Sequence, residues 1–360
     1  MNIYILIPSF VPSGPVKGAL ALANFVCKYN KTFLVVLRDE GKKDFHEIST
    51  ELEVILLYNK GNKFLQFKKM REIYDQNHHE DVSVSISSCF SADLFNLISS
   101  KKVITISSVR GNLPYNYKAE YGFPGSVLAF MHLAMLRFFD QVIVMNSSML
   151  SQVSKFMPQS PEVIPNFIDE QNMEKYRADS VKKRTTNFIF VGSLTSRKKP
   201  DIILNSLKEI VDKGLDVNLD IIGEGPLLKS LEEKIENLKI SAFVSLHGHL
   251  NDFYKMVSSA DVFILPSMSE GISRACLESL FLGTKVILRN VDGNEDLIEE
   301  GINGYLFNDD KELTNTMLRS ITEKRDLNDS ILPEKYRQDS ACSQHLKLFK
   351  KVYERTSRVF

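Results

Sequence analysis

Glu270 and Glu278 bracket the segment Pro266-Ser267-Met268-Ser269-Glu270-Gly271-Ile272-Ser273-Arg274-Ala275-Cys276-Leu277-Glu278-Ser279. An apolar strand-like run ends just before it, a glycine follows an acid, and a helical pattern begins near Ser273. Glu270 then lies at the positive mouth of a helix, beside the N–H groups of Gly271, Ile272 and Ser273, and Glu278 about two turns further on. A phosphate-bearing ligand can rest on such a helix N-terminus with a carboxylate near each of its ends. Taken alone, a first-turn acid and a surface glutamate are the simpler account. The loop Gly192-Ser193-Leu194-Thr195-Ser196-Arg197-Lys198-Lys199-Pro200 places three consecutive cations between a strand end and a helix start, where point charges and N–H groups would hold phosphate together. A basic run is ordinarily a solvated face, so the argument here rests on its position.

Two further loops carry glycine where backbone must come close to something. Gly223-Glu224-Gly225-Pro226 is either a structural turn or a surface against which a flat ring lies, with Pro226 suited to a first helical turn. Pro12-Ser13-Gly14-Pro15-Val16-Lys17-Gly18 runs into a helix and is neither a Walker loop nor a G-x-G-x-x-G, so it reads first as a turn.

The elements that must position these loops alternate along the whole chain. Strand-like runs at 3–7, 32–37, 54–58, 82–86, 103–107, 141–145 and 162–164 are separated by helical patterns such as 15–28, 63–76, 92–99 and 147–157. After a polar stretch at 172–186, containing Lys182-Lys183-Arg184, the rhythm restarts with strands at 188–191, 217–222, 243–246, 262–265, 285–288 and 304–307. Helices are expected between them at 201–212, 227–238, 251–258, 274–281, 295–300 and 311–324. Continuously apolar strands are buried on both faces, which means parallel sheets covered by helices. The expectation is two doubly wound α/β domains, 1–170 and 171–333, facing a cleft, with a final helix in 334–360 covering its own domain or the first one. Ligands in such sheets bind beyond the carboxyl ends of the strands, where the loops above all lie.

Composition bounds the function. With 360 residues and 43% of them hydrophobic, the chain can bury two cores. Its 45 basic and 45 acidic side chains cancel, which removes the general field of a nucleic-acid binder. Cys27, Cys89, Cys276 and Cys342 form no C-x-x-C pair and suit reduced core thiols of a cytoplasmic protein. Met1 leads straight into a buried strand rather than a signal peptide, and the apolar stretch 126–139, interrupted by His132 and Arg137, is too short to span a bilayer.

In order along most of the chain, the motifs resemble those of the retaining glycosyltransferases of family four, which have the two-domain GT-B architecture. Glu270 and Glu278 reproduce its E-x7-E, followed by Gly283-Thr284-Lys285-Val286-Ile287; Phe190-Val191-Gly192-Ser193-Leu194 with Lys198-Lys199-Pro200 is similar to its diphosphate loop. Ile164-Pro165-Asn166-Phe167-Ile168-Asp169 resembles its interdomain P-N-x-x-D, and Gly301-Ile302-Asn303-Gly304-Tyr305-Leu306 its last strand approach.

The resemblance implies transfer of a sugar, with retention, from a nucleoside-diphosphate sugar (a UDP-sugar is favoured) held mainly by the second domain, to a saccharide acceptor held mainly by the first. Lys198 would neutralise the departing diphosphate, Glu278 would bind the ribose, and Glu270 with Gly271, Ile272 and Ser273 would position the donor sugar. Gly192, Ser193, Arg197, Gly223, Gly225 and Pro226 would line the donor, Leu250 and the His247-x-His249 loop would border the base, and Gly14 would approach from the first domain. No metal or other cofactor is expected: there is no D-x-D, and the histidine pair has no evident carboxylate or cysteine partner. Ser193 stands where the family has an arginine, with Arg197 or Lys199 as the candidates to replace its charge. Arg110, in Ser107-Ser108-Val109-Arg110-Gly111-Asn112, stands where many members have a histidine; it contacts the donor sugar or an anionic acceptor, or else pairs with a surface acid.

An acceptor linked to lipid, in O-antigen or capsule synthesis, would place the protein peripherally on the inner face of the cell membrane. Lys60, Lys63, Lys68, Lys69 and Arg71 interleave with Phe64, Leu65, Phe67 and Met70, and 125–139 adds further apolar residues. Either these form a face for an anionic bilayer or they are ordinary amphipathic and buried helices. The alternatives to a transferase are a nucleotide-sugar epimerase and a non-catalytic nucleotide-sugar-binding protein of the same fold.

Overall fold

The structure, a computed structural model, describes all residues except 12, 41–47, 59–61, 78–82, 100–102, 172, 178–184, 324–328 and 358–360. Pro12 of the first glycine loop, Lys60 of the basic segment and Lys182-Lys183-Arg184 of the polar stretch lie outside the described residues. The chain folds as two compact units, Met1–Ile168 with Gln338–Phe360, and Asp169–Arg337.

The first unit runs β1 (Asn2–Ile7), α1 (Gly14–Val26), β2 (Lys31–Val36), β3 (Glu53–Leu56), α2 (Lys63–Asn77), β4 (Ser83–Ser87), α3 (Phe90–Ser99), β5 (Val103–Ser108), α4 (Leu113–Tyr121), α5 (Phe123–Leu136), β6 (Gln141–Val144), α6 (Ser147–Val153) and β7 (Glu162–Val163). Its seven strands lie in the order β3-β2-β1-β4-β5-β6-β7, all parallel. Successive side chains of β1 go to opposite layers: Ile3, Ile5 and Ile7 pack with the apolar face of α1, while Tyr4 and Leu6 pack with Met70, Tyr74 and Phe95 of α2 and α3. Burial on both sides is why the strand reads as an unbroken apolar run.

The second unit runs β8 (Thr186–Val191), α7 (Asp201–Asp212), β9 (Val217–Ile222), α8 (Leu228–Asn237), β10 (Val244–Leu246), α9 (Tyr254–Ser259), β11 (Val262–Leu265), α10 (Arg274–Phe281), β12 (Lys285–Arg289), β13 (Gly304–Phe307) and α11 (Glu312–Thr322). Its six parallel strands lie in the order β10-β9-β8-β11-β12-β13. The chain then rejoins the first unit as α12 (Gln338–Ser357), which packs on α1 and β5.

In each sheet the chain winds outward one way from its first strand and then returns to wind the other way. The reversal falls between β1 and β4 and between β8 and β11, and it opens a crevice at the carboxyl ends of those strands. In the second unit the pairing Phe188↔Val262 and Ile189↔Phe263 sets the loops after Val191 and Leu265 side by side.

Two elements differ from expectation. Helix α4 carries no apolar pattern because none of its residues is buried, yet Asn112 caps it, its Oδ1 accepting the Tyr115 N–H at 3.2 Å, with Pro114 in the first turn. The helix expected at 295–300 is a single 3-10 turn, Asn294–Asp296. Asn303 intercepts its backbone, donating to the Leu297 carbonyl at 3.0 Å and accepting from the Glu299 N–H at 2.8 Å, and Gly301 turns the chain at φ +80°.

Candidate functional site

The crevice between β8 and β11 gathers charge. After β8, the loop turns at Thr195, whose carbonyl accepts the N–H groups of Lys198 and Lys199, and this aims Arg197 and Lys198 at the loop that follows β11. The Lys198 Nζ lies 2.5 Å from Glu270 Oε1, and the Arg197 guanidinium reaches the same oxygen at 3.2 Å and the Ser269 carbonyl at 2.7 Å. A backbone bond from Met268 N–H to the Arg197 carbonyl, 2.8 Å, ties the two loops together. Burial alone would raise the Glu270 carboxyl; the Lys198 and Arg197 charges outweigh it and hold the group below its ordinary value. The site is therefore a buried carboxylate gripped by two cations.

The third cation of the run goes elsewhere. Lys199 adopts φ +46° and its Nζ binds Asp310 at 2.6 Å, an acid that Arg289 also binds. Of the two candidates to replace the charge absent at exposed Ser193, Arg197 is in the crevice and Lys199 is committed to Asp310.

Glu278 is 4% exposed, so it is not a surface glutamate; it faces inward from α10, with the Arg274 guanidinium 3.8 Å away. A buried carboxylate at that separation from its cation retains capacity to accept hydroxyl donors. Gly271 and Ile272 are buried and Ser273 half-buried at the start of α10, and Ser273 makes no side-chain capping bond.

Gly223 and Gly225 have a packing task. A Cβ on Gly223 would lie 1.9 Å from the Gly192 carbonyl oxygen, and one on Gly225 2.4 Å from that of Leu194. The loops after β8 and β9 are zipped by Gly192 N–H to Ile222 O (3.0 Å), Leu194 N–H to Glu224 O (2.8 Å) and Leu227 N–H to Leu194 O (3.0 Å). Gly223 N–H in turn binds the Gly248 carbonyl at 2.8 Å, joining the 247–250 loop and half-buried Leu250 to the same crevice wall; Pro226 is exposed ahead of α8. Gly192 is different, since a Cβ there would make only ordinary contact with Phe190 and Lys198.

His247 does have a carboxylate partner, contrary to expectation: its Nε2 lies 2.7 Å from Asp220 Oδ1, brought beside it by the β9–β10 pairing, while His249 meets Asn251 at 3.2 Å. Among the described residues no three His, Cys, Asp or Glu side chains converge.

Gly14 and Arg110 belong to the first unit. Gly14 opens α1, and a Cβ there would meet nothing within 4 Å. The Arg110 Nη1 donates to Asn166 Oδ1 at 3.2 Å, beside Gly18. The basic and apolar segments are split by their helices. Phe67 stacks on Phe95 at 4.7 Å and Met70 is buried, Lys69 and Arg71 reach the Leu56 and Ile98 carbonyls, and Phe64, Leu65, Lys63 and Lys68 stay outside. On α5, Leu133 and Leu136 are buried, whereas Phe123, Val127, Phe130 and Met131 are exposed. Among the described residues no helix is long and apolar enough to cross a membrane.

Asp292 was not foreseen. Its carboxylate accepts the Ser269 hydroxyl at 2.5 Å and the Glu270 N–H at 3.0 Å, clamping the loop that presents Glu270. Its sequence signal is an Asp-Gly turn after a strand, Asp292-Gly293, with Asp292 itself at φ +50°.

Residues 172–338 match the family described as "Glycosyl transferases group 1". Over 184 residues the chain is 29% identical to UDP-Gal:alpha-D-GlcNAc-diphosphoundecaprenol alpha-1,3-galactosyltransferase of Escherichia coli, covering 48% of this chain and 47% of that protein, so it spans about half of that relative's length. Over 327 residues it is 23% identical to a diNAcBac-PP-undecaprenol-linked N-acetylgalactosaminyltransferase of Campylobacter jejuni, covering 87% and 86%. The structure superposes on HepE of Anabaena in complex with UDP-glucose with a TM-score of 0.75, 18% identity, and 98% and 100% of the two chains covered. The expected pair of doubly wound GT-B units is the observed fold.

Proposed function

We propose, from the match of residues 172–338 to the family described as "Glycosyl transferases group 1", that the protein is a glycosyltransferase using a nucleoside-diphosphate sugar. The observation that carries the proposal is the convergence of Arg197 and Lys198 on buried Glu270 at the topological reversal of the second sheet. Two fixed cations in a partly water-excluded crevice suit a diphosphate, and they gain most when its charge grows as the sugar leaves. Donor binding then exchanges part of the Glu270 contact for phosphate oxygens and frees the carboxylate for sugar hydroxyls. Glu278, with its long ion pair, receives the ribose hydroxyls.

The donor is a UDP-sugar and the reaction proceeds with retention and without metal, Lys198 and Arg197 supplying the positive charge. The bond from the anomeric carbon to the diphosphate oxygen breaks with its electron pair on the diphosphate. The acceptor oxygen bonds the same carbon from the same face, and its proton passes to the leaving phosphate oxygen. The acceptor is a lipid-linked saccharide of bacterial surface polysaccharide synthesis, held by the first unit. Support comes from the names of the Escherichia coli and Campylobacter jejuni relatives, both acting on undecaprenol-linked sugars. Exposed Phe123, Phe130 and Met131 on α5, with Lys63, Phe64 and Lys68 on α2, would meet an anionic bilayer on its cytoplasmic side; co-sedimentation with anionic vesicles at low salt tests this, and absence of binding refutes it.

The test of function is a thermal-shift panel with UDP, GDP, ADP and their glucose and galactose conjugates, followed by assay of UDP release with and without decyl-diphospho-N-acetylglucosamine. Stabilisation by UDP and sugar transfer are expected. No shift with any nucleotide contradicts the proposal.

A further inference from the structure

A second polar constellation lies in the first unit, and nothing above uses it. Strand β4 reads Ser83-Val84-Ser85-Ile86-Ser87, so serines alternate along one face of a fully buried strand. From there a continuous chain of hydrogen bonds crosses the unit. Tyr74 donates to Ser85 (3.1 Å), Ser85 to Asn96 (2.8 Å), Asn96 to Ser87 (3.0 Å), and Ser87 to Asp93 Oδ1 (2.6 Å). Asp93 Oδ2 accepts from Ser107 at 2.8 Å and faces His132 Nε2 at 2.9 Å, and His132 Nδ1 faces the Tyr117 hydroxyl at 2.9 Å. Asp93 and His132 are 1% and 2% exposed, and Tyr117 is half-buried at the end of the chain. Phe90 packs against the His132 ring at 5.3 Å.

The fold goes to some length to make the last link. A Cβ on Gly125 would lie 1.9 Å from the Tyr117 carbonyl oxygen, so only glycine lets α5 approach α4 closely enough for His132 to reach Tyr117. Apolar residues of like volume would fasten these helices at least as firmly as a buried polar chain. The chain also ends in the right place: Tyr117 follows the Arg110 loop after β5, and its phenol is held above its ordinary value chiefly by burial, with Cys89, just after β4, and Asp93 of α3 adding to the rise.

The donors fix the direction of the chain. Ser87 and Ser107 both donate to Asp93, so His132 must give it the Nε2 proton, and in the neutral ring Nδ1 is then an acceptor. We propose that Asp93, His132 and Tyr117 form a positioning chain for the acceptor saccharide, in which the Tyr117 proton is committed to His132 and the Tyr117 oxygen accepts a hydrogen bond from the incoming sugar hydroxyl. This rests on the reading of the protein as a glycosyltransferase with its acceptor on the first unit. His132 and Asp93 act through Tyr117 and are positioning residues.

The test uses the full chain with UDP-galactose or UDP-glucose, whichever it transfers, and decyl-diphospho-N-acetylglucosamine. Tyr117→Phe keeps the ring and removes one hydrogen bond, so the KM for the acceptor should rise about tenfold while the donor KM and donor hydrolysis stay unchanged. Asp93→Asn can donate to Nε2 and so force the reversed ring form; it should reproduce that defect, and the double variant should be no worse than either single one. Nitrogen-15 NMR of the imidazole, assigned with His132→Gln, should show Nε2–H in the unaltered protein and Nδ1–H in Asp93→Asn. An unchanged acceptor KM in Tyr117→Phe, additive losses, or Nδ1–H in the unaltered protein would overturn the proposal. A protein that neither transfers nor hydrolyses any nucleotide sugar would instead overturn the functional reading, and the ring form of His132 is read without activity.

Discussion

Glu270→Gln isolates the charge at the heart of the second unit. The side chain keeps its shape and its oxygen, but Lys198 at 2.5 Å and Arg197 at 3.2 Å lose their counter-charge. Lys198 and Glu270 are 12% and 8% exposed, so water cannot replace it fully. Removing one partner of such a buried pair costs about 3–5 kcal/mol, and the partial exposure of Arg197 favours the lower end, ~3 kcal/mol. For a unit of this size that corresponds to a fall of about 6–12 °C in the midpoint of its unfolding transition. UDP should return negative charge to the two cations, so its stabilising shift should be larger in Glu270→Gln than in the unaltered protein, even though sugar transfer is lost. Scanning calorimetry with and without UDP reads both effects. A fall below ~2 °C, or a UDP shift no larger than that of the unaltered protein, refutes the reasoning.

Glu278→Ala should weaken UDP binding in calorimetric titration, and Lys198→Ala should weaken it too while also suppressing turnover at saturating donor. Gly223→Ala must place a Cβ 1.9 Å from the Gly192 carbonyl oxygen at φ +148°, so the second unit should lose ~3 kcal/mol or fail to bind UDP, read by thermal melting and titration. His345, 1% exposed, is lowered from 6.5 to about 4 chiefly by burial. Because its folded value is depressed, its neutral form stabilises the first unit above pH 6.5, and about 3 kcal/mol is lost as pH falls toward 4; His345→Leu should flatten that part of the pH–stability profile. Glu270, also depressed, adds a second loss in the other unit as pH falls below its ordinary 4.5.

The central strands were legible because β4, β5, β6, β11 and β12 are buried on both faces. The loops of Arg197, Lys198 and Glu270 were legible as ligand loops because each follows the carboxyl end of a strand; that they meet follows from a strand order that sets β8 beside β11. What local pattern could not supply was direction. Lys198 and Lys199 are neighbours of one type, and only the left-handed backbone at Lys199 sends it to Asp310 instead of Glu270. Glu278 looked like a helix-surface acid because burial on α10 depends on what covers that face. No local pattern encodes the polar chain from Tyr74 to Tyr117, because its links join residues far apart in sequence, Asp93 to His132 among them. Helix α4 leaves no apolar pattern because it buries nothing, and only Asn112 and Pro114 mark its start.

The central claim is that Arg197 and Lys198 are the diphosphate site of a nucleotide-sugar enzyme. Calorimetric titration of UDP into the unaltered protein and into the Arg197→Ala/Lys198→Ala double variant tests it most directly. Loss of two charge-assisted contacts, ~1.5–3 kcal/mol each, should weaken binding by at least about a hundredfold. Equal affinity in the two proteins, or no binding by the unaltered one, would contradict the account.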